Sequence, residues 1–300
     1  MRESFQVNKT AASLFDRLIA KVSLWFMARR ANHLRTLRGR PFAVFADDWI
    51  GANVYIHGIY EQANIDLTIS VLQQLKIKLQ DASAIDVGAN IGNHSVQYSR
   101  YFDSVYAYEP NPRAYDLLRH NTYDLDNVCI ENVAIGNEQG ILELFENSSN
   151  YGNTSSSPES QNGSAISVSI DTLDNLIPKD LNVALVKIDV EGMEHSVLLG
   201  ALDLLAQAAP VVCFEQHPAE FDTSPQETES IKLLRSLGYE IFAPKPDQGV
   251  SKLVSRIWKA LGLFLGKNER VKITRVSAVD KAHYSMLMAI PKSRLLIEMD

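Results

Sequence analysis

The chain has 300 residues, of which 46% are hydrophobic and 22% are charged, and its formal net charge is −7. These values fit an ordinary globular protein that is long enough to bury a sizeable core. The negative charge argues against a nucleic-acid-binding protein, and the lack of an uncharged run of about 18 apolar residues argues against a membrane-spanning helix.

The N-terminal part of the chain predicts a basic helical extension over residues 1–60, followed by the main domain over residues 61–300. Leu14, Leu18 and Val22 recur at helical spacing within residues 13–39, with Lys and Arg between them and Gly39 as a stop. Residues 53–61 (NVYIHGIYE) indicate a short strand and a turn. Residues 66–79 predict a second helix.

Strands and helices alternate from residue 83 onward. The predicted strands are 83–88, 104–110, 127–136, 140–146, 165–170, 183–190, 210–216, 239–244 and 283–291. The predicted helices are 92–102, 112–125, 193–207 and 225–238. This alternation indicates an α/β fold, with a mostly parallel sheet and helices on both faces.

Two segments interrupt the alternation. Residues 147–164 are rich in Ser, Asn and Gly and predict a flexible loop. Residues 245–275 form a basic amphipathic insertion, for which a lid over the acceptor is one interpretation.

The two cysteines, Cys129 and Cys213, both lie in short apolar runs. This placement predicts buried, reduced thiols and a reducing compartment. The first ten residues lack the plan of a secretory signal, so we expect a cytoplasmic protein.

Parallel sheets bind ligands beyond the carboxyl ends of their strands, so the polar residues at those ends deserve inspection. The first strand ends near Asp86 and runs into a glycine-containing turn, where a ligand can approach the backbone closely. The carboxylate of Asp86 would favour a cationic or amino-bearing ligand there. Glu109 ends the second strand, about 20 residues on, where an acidic residue can accept hydrogen bonds from ribose hydroxyls. The third strand runs into small residues that could flank an adenine, so the three strand ends together predict S-adenosylmethionine.

Four stretches carry a family resemblance: DVGANIGNHS, YAYEPNPRAYDLLRHN, VKIDVEGMEHSVLLGA and FEQH. Over about residues 84–217 the chain resembles the FkbM family of S-adenosylmethionine-dependent methyltransferases, with GIYE (58–61) as a weaker upstream match. The resemblance implies a class I methyltransferase (Rossmann-like) fold with a mostly parallel seven-stranded sheet whose last strand is antiparallel. It also implies methyl transfer to hydroxyl oxygens of sugars, polyketides or other secondary metabolites.

The resemblance also implies roles for individual residues. The residues expected to hold the methionine end of the cofactor are Asp86, Gly88, Asn90 and Gly92. Glu109 would hold the ribose, and Ala134 would lie near the adenine.

The predicted strands 183–190 and 210–216, the fourth and fifth of the parallel sheet, end in residues that could take part in methyl transfer. A methyl acceptor must be aligned, and an alcohol must also lose its proton, so a carboxylate or a histidine is needed nearby. The predicted catalytic residues are Asp189, Glu191, Glu215 and His217, with the acceptor between them. Lys187 is expected to be a salt-bridge partner. A divalent metal on Asp189, Glu215 and His217 is the less favoured alternative, because no ligand-spacing motif is present.

Two rival functions stay open at this point. A nicotinamide-dependent oxidoreductase expects G-x-G-x-x-G, whereas this chain has D-x-G-x-x-x-G. A non-catalytic scaffold would keep the fold and bind a partner through its basic helices.

The basic helix at 13–39 is expected to pack against the core or against a second copy of the chain in a homodimer. Peripheral membrane contact, or a lipid-linked acceptor, is the alternative, because Trp25 and Phe26 with flanking Arg suit an interfacial helix. Residues 251–272 show a similar mixture of basic and large apolar residues. His94 and His120 are expected to be structural or exposed.

Overall fold

The computed structural model describes residues 13–45, 48–147, 150–155, 165–190, 192–217, 227–246, 271–277 and 284–295. Its first helix, α1, covers Leu14–Arg38 and confirms the helix predicted over residues 13–39. The helix begins at a capping box, in which the Ser13 side chain accepts from the Asp16 N–H and the Asp16 side chain accepts from the Ser13 N–H. It ends at Gly39, which has a φ of 73°.

The segment between α1 and the sheet differs from the prediction. The strand predicted within residues 53–61 is wrong, because helix α2 covers Trp49–His57. Asp48 caps its start by accepting from the Gly51 N–H, and Gly58 ends it, so the local caps prevail over the strand propensity of the aromatic and branched residues. Helix α3 covers Gln62–Gln74 and ends before the predicted residue 79, because Lys76 has a left-handed φ of 56°.

The remaining elements follow in alternation. The strands are β1 (Ser83–Val87), β2 (Ser104–Tyr108), β3 (Val128–Glu131), β4 (Ala134–Ile135), β5 (Gly140–Asn147), β6 (Asn150–Ser155), β7 (Ala165–Asp171), β8 (Val183–Ile188), β9 (Val211–Gln216), β10 (Tyr239–Pro246), β11 (Val271–Arg275) and β12 (Tyr284–Pro291). The helices are α4 (Asn93–Tyr98), α5 (Pro112–Thr122), α6 (Leu173–Leu176), α7 (Glu194–Leu199), α8 (Leu202–Ala208), α9 (Glu229–Ser236) and α10 (Lys292–Leu295). A short 3₁₀ helix, Leu79–Asp81, precedes β1.

The main sheet has eight strands in the order β11-β10-β12-β9-β8-β1-β2-β3. The strands β3, β2, β1, β8 and β9 are parallel, whereas β12 runs antiparallel to both β9 and β10. This is the Rossmann-like class I methyltransferase arrangement implied by the resemblance, with its antiparallel last strand between β9 and β10. The strand β11 pairs with the outer edge of β10 and enlarges the implied sheet by one.

A second sheet of four strands has the order β4-β7-β5-β6. The single strand predicted over residues 127–136 is therefore divided, with β3 in the main sheet and β4 in the second. Part of the predicted loop 147–164 is also a strand, because β6 pairs antiparallel with β5. The rest of that loop and residues 247–270 of the predicted insertion lie outside the described residues, as does most of the basic segment 251–272.

The core lies on both faces of the main sheet. Ile85 and Val87 of β1 join one hydrophobic cluster, which also includes residues of α7, α8 and α9, while Ala84 joins the cluster that includes residues of α3. Successive residues of a strand point to opposite faces, so β1 is buried on both sides. Both cysteines are free, as predicted. Cys213 is buried, but Cys129 is exposed on the outer strand β3, which makes that part of the prediction wrong.

Two asparagines hold the N-terminal segment on the first β–α units. Asn93 accepts from the Tyr60 N–H (3.0 Å) and donates to the Tyr60 carbonyl (2.8 Å). Asn121 does the same for Ala43, with distances of 2.7 and 2.9 Å. Arg38, at the end of α1, donates to the carbonyls of Val54 and Gly58. Among the described helices, none has the length and hydropathy needed to cross a bilayer.

Candidate active site

The turn between β1 and α4 is built from residues with positive φ. Gly88, Asn90 and Gly92 have φ values of 74°, 50° and 87°. A Cβ on Gly88 would overlap the Asp189 carbonyl oxygen, so only glycine fits where this turn crosses the end of β8. A Cβ on Gly92 would lie 2.8 Å from Leu118 Cδ1, so this glycine lets α5 pack closely. The turn is therefore fixed by steric contacts on both sides.

The Glu109 carboxylate joins this turn to the end of β2. Its Oε2 accepts from the Asn90 N–H and its Oε1 accepts from the Asn111 N–H, each at 2.8 Å. The side chain is 6% exposed, and burial raises the pKa of Glu109 to about 7 although the two backbone N–H groups oppose that rise. A carboxylate oxygen can accept more than one hydrogen bond, so both oxygens retain capacity for a ligand hydroxyl. The ribose contact of Glu109 stays a prediction, and the geometry is compatible with it.

Lys187 lies at the centre of a buried ion cluster beneath the turn. Its Nζ is 3.1 Å from Asp86 Oδ1 and 3.3 Å from Asp189 Oδ2, and it donates to the Gly88 carbonyl at 3.0 Å. The other oxygen of Asp86 accepts from Ser95 Oγ at 2.6 Å. Burial acts to lower the pKa of Lys187, but the two carboxylates raise it above its ordinary value, so the ammonium stays charged. Lys187 is a salt-bridge partner, as predicted, but the expected partners were Glu191 or Glu194, whereas the described carboxylates that it contacts are Asp86 and Asp189.

The cluster also decides how the other predicted residues are placed. Asp86 has no exposed surface, and the positive charge beside it is that of Lys187. Its contact with the methionine end of the cofactor therefore stays a prediction. Burial acts to raise the pKa of Asp189, but Lys187 and then His94 hold it below its ordinary value, and a hydrogen bond with Glu215 adds to this effect. Asp189 and Glu215 thus lie together at the ends of β8 and β9, as the sequence predicted.

Three predicted site residues lie elsewhere or outside the described residues. His217 follows β9 and is exposed. Ala134 is 4% exposed on β4, in a cluster with Leu144 and Val168, and its place near the adenine stays a prediction. Glu191 lies outside the described residues, so its predicted role stays a prediction. Within the described ranges, no group of three or more His, Cys, Asp and Glu side chains is arranged to hold a metal ion.

A small cleft opens beside Asp189 and Glu215. Its lining residues come from the start of α3, from α4 and from β8, β9 and β12 with the residues that follow β8: Glu61, Asn64, Thr68, His94, Tyr98, Lys187, Ile188, Asp189, Cys213, Phe214, Glu215, Ser285 and Met286. The cleft therefore lies over the fourth and fifth parallel strand ends, where the acceptor was predicted, and receives one wall from the start of α3 and from α4.

Glu61 and His94 form a pair in this wall that sequence reasoning missed. His94 Nε2 is 3.5 Å from Glu61 Oε2, and the two side chains are 9% and 21% exposed. Burial, with a further contribution from Asp189, raises the pKa of Glu61 to about 7 against the opposing effect of Lys187. Burial, followed by the charge of Lys187, lowers the pKa of His94 to about 4 against the carboxylates. Near neutral pH, His94 is therefore uncharged, and Glu61 gains and loses its proton.

The comparison with known families agrees with this geometry. The family described as Methyltransferase FkbM domain matches residues 86–241, which is more than half of the chain. The chain belongs to the FkbM methyltransferase family. The resemblance found in the sequence is thereby confirmed, and this FkbM protein is an S-adenosylmethionine-dependent methyltransferase.

Several solved structures are similar to this FkbM methyltransferase. A precorrin-6y C5,15-methyltransferase from Geobacter metallireducens is 17% identical, with 77% of this chain and 90% of that chain covered and a TM-score of 0.38. A methyltransferase FkbM from Methylobacillus flagellatus is 17% identical, with 72% of this chain and 55% of that chain covered and a TM-score of 0.35. A magnesium protoporphyrin IX methyltransferase from Synechocystis with bound S-adenosylmethionine is 12% identical, with 94% and 100% covered and a TM-score of 0.40. Among curated proteins none matches the chain.

The residues of this FkbM methyltransferase fit S-adenosylmethionine. Glu109 offers a buried carboxylate beside the turn after β1, as an acceptor for a diol. Asp189 and Glu215 lie together at the neighbouring strand ends and line the cleft. The buried acceptor at the end of β2 thus fits the ribose of the cofactor.

Proposed function

We propose that this FkbM methyltransferase transfers the methyl group to a hydroxyl oxygen of a sugar, a glycan or a secondary metabolite. The observation that carries this proposal is the Glu61 carboxylate, which has a pKa of about 7 and lies in the cleft beside uncharged His94. General-base catalysis is most efficient when the pKa of the base is near the working pH. An alcohol acceptor must lose its proton as the oxygen forms a bond to carbon, and Glu61 can accept that proton.

The residues of the chain would divide the work between two neighbouring regions. The turn at residues 88–92 and Glu109 would hold S-adenosylmethionine, which supplies an electrophilic methyl group when bound. The cleft would hold the acceptor with its hydroxyl directed toward the turn. Alignment of the reacting atoms alone can lower a barrier by roughly 7–11 kcal/mol.

Glu61 is a better candidate for the base than the residues predicted from the sequence. The pKa of Asp189 is held below its ordinary value by Lys187, so this carboxylate is a weak base and serves to accept a hydrogen bond from the acceptor. Burial, and then the charges of Glu61 and Asp189, raise the pKa of Tyr60, so its hydroxyl stays protonated and can donate. We therefore assign proton removal to Glu61 and orientation of the acceptor to Asp189 and Glu215.

The test compares oxygen and nitrogen acceptors on matched scaffolds. The protein is incubated with isotopically methyl-labelled S-adenosylmethionine and with pairs of compounds that differ only in a hydroxyl or an amine. Glucose and glucosamine are one such pair, and matched sugar nucleotides, oligosaccharides and phenols supply the others. Mass spectrometry of the products is expected to locate the label on oxygen. Labelling confined to nitrogen or carbon would overturn the proposal.

The role of Glu61 is tested in the same assay with Glu61→Gln. We expect kcat to fall by about 10²–10⁴-fold, because one proton acceptor is lost. In the wild type, kcat should rise as the pH passes through about 7, and this rise should be absent in the variant. Calorimetric binding of S-adenosylhomocysteine should stay unchanged in Glu61→Gln and weaken in Glu109→Gln. An unchanged pH profile in Glu61→Gln would contradict the assignment.

A further inference from the structure

The N-terminal half of α1 carries a row of large apolar side chains that the rest of the described chain leaves uncovered. Their exposed fractions lie between 48% and 69%. We call this surface the α1 apolar face: Phe15, Leu18, Ile19, Val22, Trp25 and Phe26. Scattered single apolar residues are normal on a protein surface, but six on one face of a helix are an exposed patch. The expected packing of this helix on the core holds only for its C-terminal end, where Leu34 and Arg38 are buried.

The α1 apolar face does not pack against the described core. At about 100° per residue, its six members fall within a face roughly 120° wide. On the same projection, Leu34 and Arg38 lie roughly 140° from the centre of the α1 apolar face. Leu24 and Met27 lie on the side of these two buried residues and are themselves 66% and 54% exposed, so the N-terminal half of α1 projects beyond the described body of the protein.

Basic residues surround the α1 apolar face. The cations of the helix are Arg17, Lys21, Arg29, Arg30, Arg35 and Arg38, against the single acid Asp16. Within the described part of the chain, Arg17, Lys21, Arg29 and Arg35 have no ion-pair partner. The Arg29 guanidinium lies 5.9 Å from the centre of the Trp25 ring, one turn along the helix. The helix is thus positively charged, whereas the whole chain has a net charge of −7.

We propose that the α1 apolar face docks onto the surface of an anionic lipid membrane. An interfacial helix has Trp, Phe and Leu on one face and Lys and Arg beside them, so that the rings enter the acyl boundary while the cations meet lipid phosphates. The acidic body is repelled by the same surface, which leaves α1 as the contacting element among the described residues. A second copy of the chain fits less well, because pairing two such faces would bring two sets of unpaired cations together.

The first experiment is co-sedimentation of the full chain with vesicles. Binding to vesicles of equal parts phosphatidylglycerol and phosphatidylcholine should exceed binding to pure phosphatidylcholine by at least about tenfold, and 0.5 M salt should weaken it. The triple substitution Val22→Glu, Trp25→Glu and Phe26→Glu should reduce binding by at least about tenfold. The matched control is Tyr123→Glu with Ile141→Glu, since these apolar side chains are 78% and 72% exposed elsewhere on the surface. The control should bind as the wild type does.

A second measurement keeps the apolar face intact. With Trp49→Phe and Trp258→Phe, tryptophan emission reports Trp25 alone. Phosphatidylglycerol vesicles should shift this emission to shorter wavelength, and brominated lipid should quench it. Unchanged emission, or no pelleting of the wild type with these vesicles, would overturn the proposal. An equal loss of binding in the control would also overturn it. A wild-type dimer that does not bind vesicles and that the triple substitution dissociates would overturn it as well.

Discussion

Removal of the Lys187 ammonium should expose how strongly the buried ion cluster holds the sheet together. Lys187→Met leaves a side chain of similar length but no charge, beside an Asp86 carboxylate with no exposed surface. Breaking a buried pair by removing one partner typically costs about 3–5 kcal/mol, because the remaining charge is left uncompensated. Asp189 adds little to this cost, since its side chain is 38% exposed and water can replace the ammonium. We therefore expect a loss of about 3–5 kcal/mol at neutral pH, or roughly 10 °C in Tm.

Urea unfolding of matched variants tests this reasoning. The control is Lys232→Met, which removes a pair with Glu229 at 2.7 Å whose side chains are 48% and 62% exposed, and it should cost less than about 1 kcal/mol. Adding Asp86→Asn to Lys187→Met should restore part of the stability, because it removes the stranded charge. The reasoning is refuted if Lys187→Met costs no more than Lys232→Met, or if Asp86→Asn destabilises the single variant further.

Three further predictions concern the turn, the cleft and the thiols. Gly88→Ala combines a left-handed φ with overlap on the Asp189 carbonyl, so it should lower the free energy of unfolding in urea by several kcal/mol. The control is Gly192→Ala, with φ 98° and nothing within 4 Å of the added Cβ, which should cost only about 1 kcal/mol. Equal costs for the two variants would contradict the overlap. Folding raises the pKa of Glu61 from 4.5 to about 7, so the wild type should lose about 3 kcal/mol of stability as the pH rises through that window. Glu61→Gln does not have this loss, so its free energy of unfolding should increase relative to that of the wild type between pH 5 and pH 8. A difference in free energy of unfolding that does not change with pH would count against the burial of Glu61. One thiol per native chain should react rapidly with an aromatic disulfide reagent, because Cys129 is exposed while burial raises the pKa of Cys213 to about 12; two rapid thiols would contradict this.

Much of the fold could be predicted because the central strands are encoded locally. The segment SAIDV is apolar apart from Ser83 and Asp86, and all its residues are buried, so composition agrees with the structure. The residues of α2 show the opposite case. Residues 53–57 include branched and aromatic side chains that are typical of strands. They form a helix because Asp48 and Gly58 cap its two ends and because it packs against α1. Composition likewise predicted a loop where β6 forms, because pairing with β5 is a contact between strands and leaves little local pattern.

The site was predictable where it follows strand ends and was missed where it depends on a distant segment. Glu109 and Asp189 end their strands, and the topology alone places them at one edge of the sheet. Helix α3 separates Glu61 from the first strand of the sheet. Glu61 lies beside His94 because the Asn93 side chain binds the adjoining backbone of Tyr60. The weak upstream match GIYE was the one signal in the sequence that pointed to this wall.

The way Asn93 and Asn121 hold the N-terminal segment has a consequence for how the acceptor wall can evolve. Both amides bind the main chain of their partners, Tyr60 and Ala43, and ignore the side chains. Attachment of the wall is therefore independent of its own sequence and depends on asparagines in another part of the chain. Substitutions at residue 60 can change the side chain next to Glu61 without releasing the segment. The side chains of this segment can thus vary while asparagines at other positions maintain its attachment.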